Sequence, residues 1–176
     1  GAFLESPLFR HLATCPVNLL GVVMMTHALL PYLISRPDAH LVQIASASGL
    51  IGLPFGATYA SSKWAVLGFT ESIRMELIEQ GHLHVGVTAV CPSYVTTGMF
   101  DGVRAPLLTP LLTPSRVAEL TVRAVLRNRP VVLAPWMVRI TPLLPSKLNL
   151  SCFHRHFHRF FTGPGKTLNE VPNTLI

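Results

Sequence analysis

The sequence predicts an α/β fold built around a parallel sheet, and three observations favour this class. Two short segments of strand length, residues 41–45 and 85–91, are separated by a loop and a long helical segment. Both are apolar over most of their length, which is typical of strands covered by helices on both faces. The composition, 49% hydrophobic and 12% charged over 176 residues, excludes a disordered tail, a coiled coil and a nucleic-acid-binding arm.

The elements follow in order along the chain. Residues 8–34 predict a helix, with Pro16 as a kink or boundary near its start. After the strand at 41–45, glycines and a proline predict a loop, and residues 59–80 predict a second long helix that Gly81 ends. Beyond the strand at 85–91 the sequence predicts a proline-rich irregular stretch, a helix at 115–127 and a third strand at 131–134. Uninterrupted apolar runs such as 131–138 are less than half the roughly 18 residues of a membrane-spanning helix, so no span is obvious.

Cysteine usage and charge suggest the surroundings of the protein. The three cysteines, Cys15, Cys91 and Cys152, are odd in number and widely spaced, which predicts a reducing compartment and no disulfide framework or zinc site. Residues 1–122 carry 6 Lys/Arg against 7 Asp/Glu, whereas residues 123–176 carry 8 against 1. A basic, apolar carboxyl end predicts contact with an anionic lipid surface more readily than with nucleic acid, and an ordinary basic surface is the alternative.

Chemistry-bearing side chains cluster where the second helix begins. Tyr59 and Lys63 lie four residues apart, so a helix places both on one face. Ser46 ends the preceding strand, at the sheet edge where parallel α/β folds bind ligands. Ser48, two residues later, is the competing hydroxyl, and the thirteen-residue spacing to Tyr59 favours Ser46.

Several segments in order and spacing resemble the short-chain dehydrogenase/reductase family over roughly residues 8–135. The matching segments are VNLLG at 17–21, IASASG at 44–49, YASSK at 59–63, WAVLGF at 64–69, ESIRMEL at 71–77 and CPSYVTT at 91–97. The resemblance implies a Rossmann-like doubly wound sheet and an NAD- or NADP-dependent oxidoreductase. Ser93 departs from the family pattern, in which a glycine stands, and this places the cofactor geometry there in doubt.

The same resemblance implies roles for individual residues. Tyr59 would be the general acid/base, aided by Lys63 and a positively charged nicotinamide ring, which together would lower its pKa. Ser46 would donate a hydrogen bond to the substrate oxygen, and Asn18 would hold a water that links Lys63 to solvent. Tyr59, Lys63, Pro92, Val95 and Thr97 would contact the cofactor. The alternatives are purely structural: a tyrosine at a helix end, a lysine in solvent and an asparagine that is hydrogen-bonded to backbone.

More narrowly, the TGMFDG segment at 97–102 resembles the branch of retinol and 17-beta-hydroxysteroid dehydrogenases. This implies a lipophilic alcohol substrate and a homo-oligomer when full length. It also implies a location on the cytoplasmic side of the endoplasmic reticulum membrane or a lipid droplet, with a cytoplasmic location as the alternative. Leu107, Leu108, Leu111 and Leu112 would form an apolar lid, with core packing as the alternative. Phe153, Phe157, Phe160 and Phe161 would form one face of a basic membrane-facing element, although a poorly ordered tail fits equally. The histidines at 154, 156 and 158 have no nearby fourth ligand, so no metal site is predicted.

The glycine-rich turn and the N-N-A-G segment of the family are both absent from this sequence. The prediction is therefore the catalytic, carboxyl-terminal half of the fold over residues 1–135, followed by an apolar, basic extension over 136–176. The chain begins with glycine, so the sequence is expected to start inside a longer protein. Two functions follow: an oxidoreductase whose amino-terminal half lies upstream, or a truncated, non-enzymatic chain that acts as an interaction module or is an inactive fragment.

Overall fold

A parallel sheet forms the centre of the structure, a computed structural model that describes residues 2–97 and 110–143. Within these residues the strands β1 (Ala39–Ile44), β2 (Val85–Pro92) and β3 (Val131–Ala134) lie in the order β1-β2-β3. Both neighbouring pairs are parallel, with Ile44 opposite Val90 and Cys91 opposite Leu133. The predicted α/β class with a parallel sheet is confirmed, and β1 begins two residues earlier than predicted.

The first helical segment is continuous from Leu8 to Ile34 but changes its winding in the middle. It consists of α1 (Leu8–Cys15), a π-helical turn (Pro16–Leu20) and α2 (Gly21–Ile34). Pro16 has no backbone N–H, so the regular hydrogen-bond pattern is interrupted there, and the Gly21 N–H donates five residues back to the Pro16 carbonyl. The irregularity predicted at Pro16 is confirmed, and it takes the form of a wider turn.

The two remaining helices begin and end near the predicted positions. Helix α3 (Ala57–Glu79) starts two residues before the predicted start, and Gly81 follows it with a φ of 80°, a conformation that glycine adopts without strain. Helix α4 (Pro114–Val125) is preceded by Thr113, whose hydroxyl accepts the Arg116 N–H and satisfies one free donor of the first turn. A short 3-10 turn, Ala47–Gly49, connects β1 to the loop before α3.

Helices α2 and α3 cover one face of the sheet through two apolar clusters. One cluster is centred on Leu77, Val85 and Val87, and the other on Ala45, Val66 and Cys91. Between them lies a buried polar network, in which the Gln43 amide donates to Thr26 Oγ1 at 2.8 Å and accepts from Thr70 Oγ1 at 2.6 Å. Because these three polar side chains are hydrogen-bonded to one another, the network fixes α2 and α3 on β1.

The helical segment Leu8–Ile34 presents a largely exposed apolar surface. By length and composition alone, this helix is long enough and apolar enough to cross a membrane. Its few polar residues interrupt the apolar runs but leave the mean hydropathy high. A core helix of a soluble protein meets the same criterion, and one face of α2 does pack on the sheet. Apolar side chains that face solvent include Phe9, Leu12, Val17, Met24 and Met25.

We expect Gly49→Ala to destabilise the fold by about 2 kcal/mol, because overpacking of a filled site costs roughly 1–3 kcal/mol. A Cβ at Gly49 would lie 2.7 Å from the Lys63 carbonyl oxygen, and backbone of α3 cannot move aside cheaply. The measurement is urea unfolding, with Gly52→Ala as the matched control, since a Cβ at Gly52 would meet nothing within 4 Å. Equal stability of the two variants would contradict the tight packing of this turn on α3.

Candidate active site

The predicted site lies at the carboxyl ends of β1 and β2, which meet at one edge because the strands are parallel. Ser46 comes two residues after β1 ends, and Pro92 ends β2. The Ala45 N–H donates to the Val90 carbonyl at 2.8 Å, which keeps the segment that carries Ser46 beside β2. The first two turns of α3 bring Tyr59 and Lys63 to this edge. The structure thus brings Ser46, Tyr59 and Lys63 together at this edge.

Tyr59 and Lys63 lie one turn apart on α3 and face the end of β1. The ammonium of Lys63 is 5.9 Å from the centre of the Tyr59 ring. It donates a hydrogen bond of 3.1 Å to the carbonyl oxygen of Ile44, which is the last residue of β1. This bond fixes a cation beside the tyrosine at the strand end.

Ser46 occupies the position between Ser48 and Tyr59. Its Oγ accepts the Ser48 N–H at 3.2 Å and the Ser48 hydroxyl at 2.9 Å. The Ser46 hydroxyl also lies near enough to Tyr59 to lower the pKa of the phenol in part. Of the two hydroxyls that the sequence offered, Ser46 is thus the one that influences Tyr59, and Ser48 is hydrogen-bonded to Ser46.

Asn18 lies in the π-helical turn and contacts α3 one residue before Lys63. Its Nδ2 donates to Ser62 Oγ at 3.1 Å, and Ser62 Oγ donates to the Tyr59 carbonyl at 2.7 Å. The wider winding that Pro16 starts therefore places the Asn18 amide against the helix that carries Tyr59 and Lys63.

The segment after β2 contains the other predicted cofactor contacts. Val95 forms an isolated parallel bridge with Leu112, and the Thr97 N–H donates to the Val95 carbonyl at 2.8 Å. Thr97 is exposed and Pro92 is buried. An exposed hydroxyl in an ordered turn beside the strand end is a donor that a ligand can reach, whereas Pro92 can offer only its carbonyl and ring.

The lid prediction is only partly accessible to the structure. Leu107 and Leu108 lie outside the described residues, and Leu111 is exposed. Leu112 is buried and pairs with Val95, so packing accounts for this leucine, which was the alternative to the lid.

Burial dominates the electrostatics of the cluster. It raises the pKa of Tyr59 above the ordinary value, because the phenolate loses solvation, and the hydrogen bond from Ser46 lowers it in part. Burial lowers the pKa of Lys63, and the nearby Cys91 thiolate would raise it. The pKa of Cys91 rises to about 11 through burial, so this thiol stays protonated and is a poor nucleophile. Burial therefore acts against the pKa lowering expected for Tyr59, which Lys63 and the nicotinamide ring together would have to supply.

Three features of the site were not found in the sequence. The hydroxyl of Ser62 connects Asn18 to the Tyr59 backbone, and the only available signal was its position next to Lys63. The Lys63 ammonium donates to the backbone carbonyl of Ile44. Side-chain identity in the sequence gives no signal for a backbone acceptor. A cavity of about 100 Å³ beside Tyr59 is lined in part by Arg10, whose role the helical pattern of α1 does not reveal.

The structure describes only part of the chain in which a metal site or a membrane-facing tail could lie. Across residues 2–97 and 110–143, no three His, Cys, Asp or Glu side chains lie together as a metal site. The histidines at 154, 156 and 158 and the phenylalanines at 153–161 lie outside the described residues, so both interpretations stay predictions.

Comparison with known proteins identifies the relatives of this chain. The short chain dehydrogenase family model matches residues 5–107. The chain is 32% identical over 154 residues to mouse epidermal retinol dehydrogenase 2, covering 84% of this chain and 50% of that protein. It is also 32% identical over 162 residues to mouse 17-beta-hydroxysteroid dehydrogenase 13, covering 92% of this chain and 51% of the relative. The chain thus spans about half the length of these curated relatives.

Solved structures agree on the fold. A short chain dehydrogenase/reductase from Burkholderia phymatum in complex with NAD superposes with a TM-score of 0.70 at 24% identity, covering 95% of this chain and 66% of that one. A short-chain dehydrogenase from Sphingobium yanoikuyae in complex with NADPH superposes with a TM-score of 0.67 at 20% identity, covering 80% of this chain and 54% of that one.

The family model matches residues 5–107, and the structure has the parallel sheet with Ser46, Tyr59 and Lys63 at its edge. The chain therefore belongs to the short-chain dehydrogenase family.

Proposed function

We propose that the protein is an NAD(P)-dependent oxidoreductase that interconverts a lipophilic alcohol and its carbonyl compound. The observation that carries this proposal is the placement of Ser46, Tyr59 and the Lys63 ammonium together at the carboxyl edge of the sheet. A donor, an ionisable hydroxyl and a cation within one site are the groups that proton transfer to or from an alcohol oxygen requires.

The residues present fit a nicotinamide cofactor by the chemistry of their donors. Lys63 offers an ammonium, the Thr97 side chain offers an exposed hydroxyl, and the Val95 segment offers ordered backbone. When bound, the nicotinamide ring accepts or donates the hydride. These residues support NAD and NADP equally, and the relatives in complex with NAD and with NADPH leave both open.

The chain's own residues would divide the remaining work. During oxidation the Tyr59 oxygen takes the alcohol proton, and during reduction it returns that proton to the carbonyl oxygen. Ser46 donates a hydrogen bond to the substrate oxygen, and Lys63 stabilises the ionised Tyr59. Asn18, held by Ser62, would keep a water in position to pass protons between Lys63 and solvent.

A lipophilic substrate is supported by the relatives, which are named as retinol and 17-beta-hydroxysteroid dehydrogenases. The test compares cofactor-dependent oxidation of retinol, a steroid alcohol and a sugar alcohol by the full-length protein. We expect the two lipophilic alcohols to be preferred, and preference for the sugar alcohol would contradict the proposed substrate class.

Lys63→Ala should impair turnover and cofactor binding together, because the ammonium would serve both the tyrosine and the ribose hydroxyls of the cofactor. The measurements are kcat with an active alcohol and the Kd for NAD and NADP. Arg74→Ala is a matched control, since this partly exposed cation on the same helix pairs with Glu71. Loss of one effect without the other would show that Lys63 has a single role.

The same proposal includes attachment to a lipid surface through residues after about 123. It also includes a location at the endoplasmic reticulum or a lipid droplet. The excess of cations in residues 123–176, 8 Lys/Arg against 1 Asp/Glu, supports it. Flotation with anionic vesicles should recover the whole chain and not a chain that ends at Arg129. Equal recovery of both would place the attachment elsewhere, and the exposed apolar helix Leu8–Ile34 is then the first alternative.

The exposed apolar side chains of the Leu8–Ile34 segment also favour pairing with another protein surface. They support the proposed homo-oligomer of the full-length protein. They equally support the second candidate function, a non-enzymatic interaction module. Sedimentation of the full-length protein with and without Met24→Glu tests pairing, and turnover by the same protein separates the two functions.

A further inference from the structure

The cavity beside Tyr59 lies between α1 and the start of α3 and has a volume of about 100 Å³. Residues 55–59 line it from α3 and the loop before this helix, and α1 and the segment before α1 supply the other lining residues. Pockets that enclose a whole drug-sized ligand measure about 300–1,000 Å³. The cavity therefore has room for one end of a ligand, and the rest of such a ligand must extend out of it.

Two hydrogen-bond donors in the lining have no side-chain partner among the described residues. They are the half-buried guanidinium of Arg10 on α1 and the hydroxyl of Ser6, which lies just before this helix. No described Asp or Glu residue lines the cavity, so the charge of Arg10 is not balanced there. A half-buried cation without a counter-ion favours an anionic ligand, because the ligand supplies the missing charge and the missing acceptor.

His11 also lines the cavity, but its ring nitrogens are both hydrogen-bonded within the protein. Its Nδ1 lies 2.7 Å from Thr58 Oγ1, and its Nε2 lies 3.0 Å from the Phe3 carbonyl oxygen. The Phe3 ring packs on the His11 ring with 4.5 Å between the ring centres. These contacts join α1 to α3 and to the segment before α1. The cavity wall is therefore formed before a ligand binds, which lowers the cost of binding.

Two aromatic rings of the lining offer an apolar surface that continues to solvent. Phe3 and Phe55 both line the cavity, and they are 56% and 37% exposed. Phe55 has a φ of 61°, a left-handed conformation that is unfavourable for a bulky side chain, so the surrounding loop must hold it there. An apolar chain that leaves the cavity can therefore contact these rings on its way out.

We propose that this cavity binds an amphiphilic carboxylate, whose anionic end is held by Arg10 and whose apolar chain contacts Phe3 and Phe55. The planar guanidinium can donate two parallel hydrogen bonds to a carboxylate, and the Ser6 hydroxyl can donate a third. One cation in the lining matches a singly charged ligand. The site is separate from the alcohol chemistry of the proposed function, although it places a bound anion beside Tyr59.

The experiment is calorimetric titration of the full-length protein with octanoate, with 1-octanol and inorganic phosphate as comparison ligands. Octanoate should bind more tightly than either, because octanol lacks the charge and phosphate lacks the chain. Equal binding of octanol or of phosphate would overturn the proposal. Saturating NAD should leave octanoate binding unchanged, whereas displacement by NAD would assign the cavity to the cofactor and overturn the proposal as well.

Arg10→Met removes the charge but keeps a side chain of similar length, and it should weaken octanoate binding about tenfold to a hundredfold. Arg10→Lys keeps the charge without the planar fork and should recover part of this loss. Arg36→Met is the matched control, because Arg36 is exposed just after α2 and does not line the cavity. Unchanged octanoate affinity in Arg10→Met, or an equal loss in Arg36→Met, would overturn the proposal.

Phe55→Ala tests the contact with the apolar chain and should weaken octanoate at least about threefold, since apolar surface at the cavity is lost. Phe9→Ala is its matched control, because Phe9 is an exposed ring of α1 outside the lining. Equal octanoate affinity in the two variants would show that the chain does not follow Phe55 and would overturn the amphiphilic assignment. Because none of these measurements needs turnover, a protein that oxidises no alcohol would refute the proposed function while this site is still decided.

Discussion

Tyr59→Phe should lower alcohol oxidation by at least about a hundredfold while cofactor binding stays nearly unchanged, because only the ionisable hydroxyl is removed. The half-buried ring stays in place, so the packing of the site is kept. The lost hydroxyl is the group to which the proposed function assigns this proton transfer. The measurements are kcat with retinol and the Kd for NAD and NADP in the full-length protein.

Tyr32→Phe is the matched control, because the exposed Tyr32 of α2 loses the same hydroxyl away from the site. Its turnover should equal that of the parent. Near-normal turnover in Tyr59→Phe would refute the assignment of this tyrosine as the acid/base group. A large loss in cofactor binding would show that the hydroxyl also holds the cofactor.

The 176-residue chain by itself should bind no dinucleotide with useful affinity and turn over no substrate. Its sequence has no T-G-x-x-x-G-x-G turn, and a helix N-terminus after such a turn supplies much of the affinity for the diphosphate. Among the described residues β1 is also an edge strand, and the Ile44 side chain at its end is 50% exposed. An open apolar edge favours aggregation or pairing with another chain.

Calorimetric titration of the purified chain with NAD and NADP tests this expectation, followed by assays with retinol and an aliphatic alcohol. The control is a chain extended at its amino end to include a glycine-rich turn, which should bind the cofactor. Saturable binding by the 176 residues in the low micromolar range, or turnover abolished by Tyr59→Phe, would mean that this half builds a cofactor site of its own.

Local pattern was sufficient for the elements of the fold. The apolar segments predicted β1 and β2 within two residues, and Gly81 marked the end of α3 because a left-handed residue ends a helix. Pro16 predicted the irregular winding of the first helix, since proline removes a backbone donor wherever it stands. These signals depend only on a residue and its near neighbours in sequence, so they can be recognised without knowledge of the fold.

The sequence by itself also determined which side chains gather at the sheet edge, since the carboxyl ends of parallel strands must meet there. Only the tertiary structure decided how they are connected: Ser48 donating to Ser46, Ser62 joining Asn18 to Tyr59, and the Ile44 carbonyl holding Lys63. The physical reason is that hydrogen bonds depend on distances of about 3 Å between groups from different elements, and a pattern along one chain does not encode such distances. For the same reason burial, which raises the pKa of Tyr59, became visible only after the helices had packed.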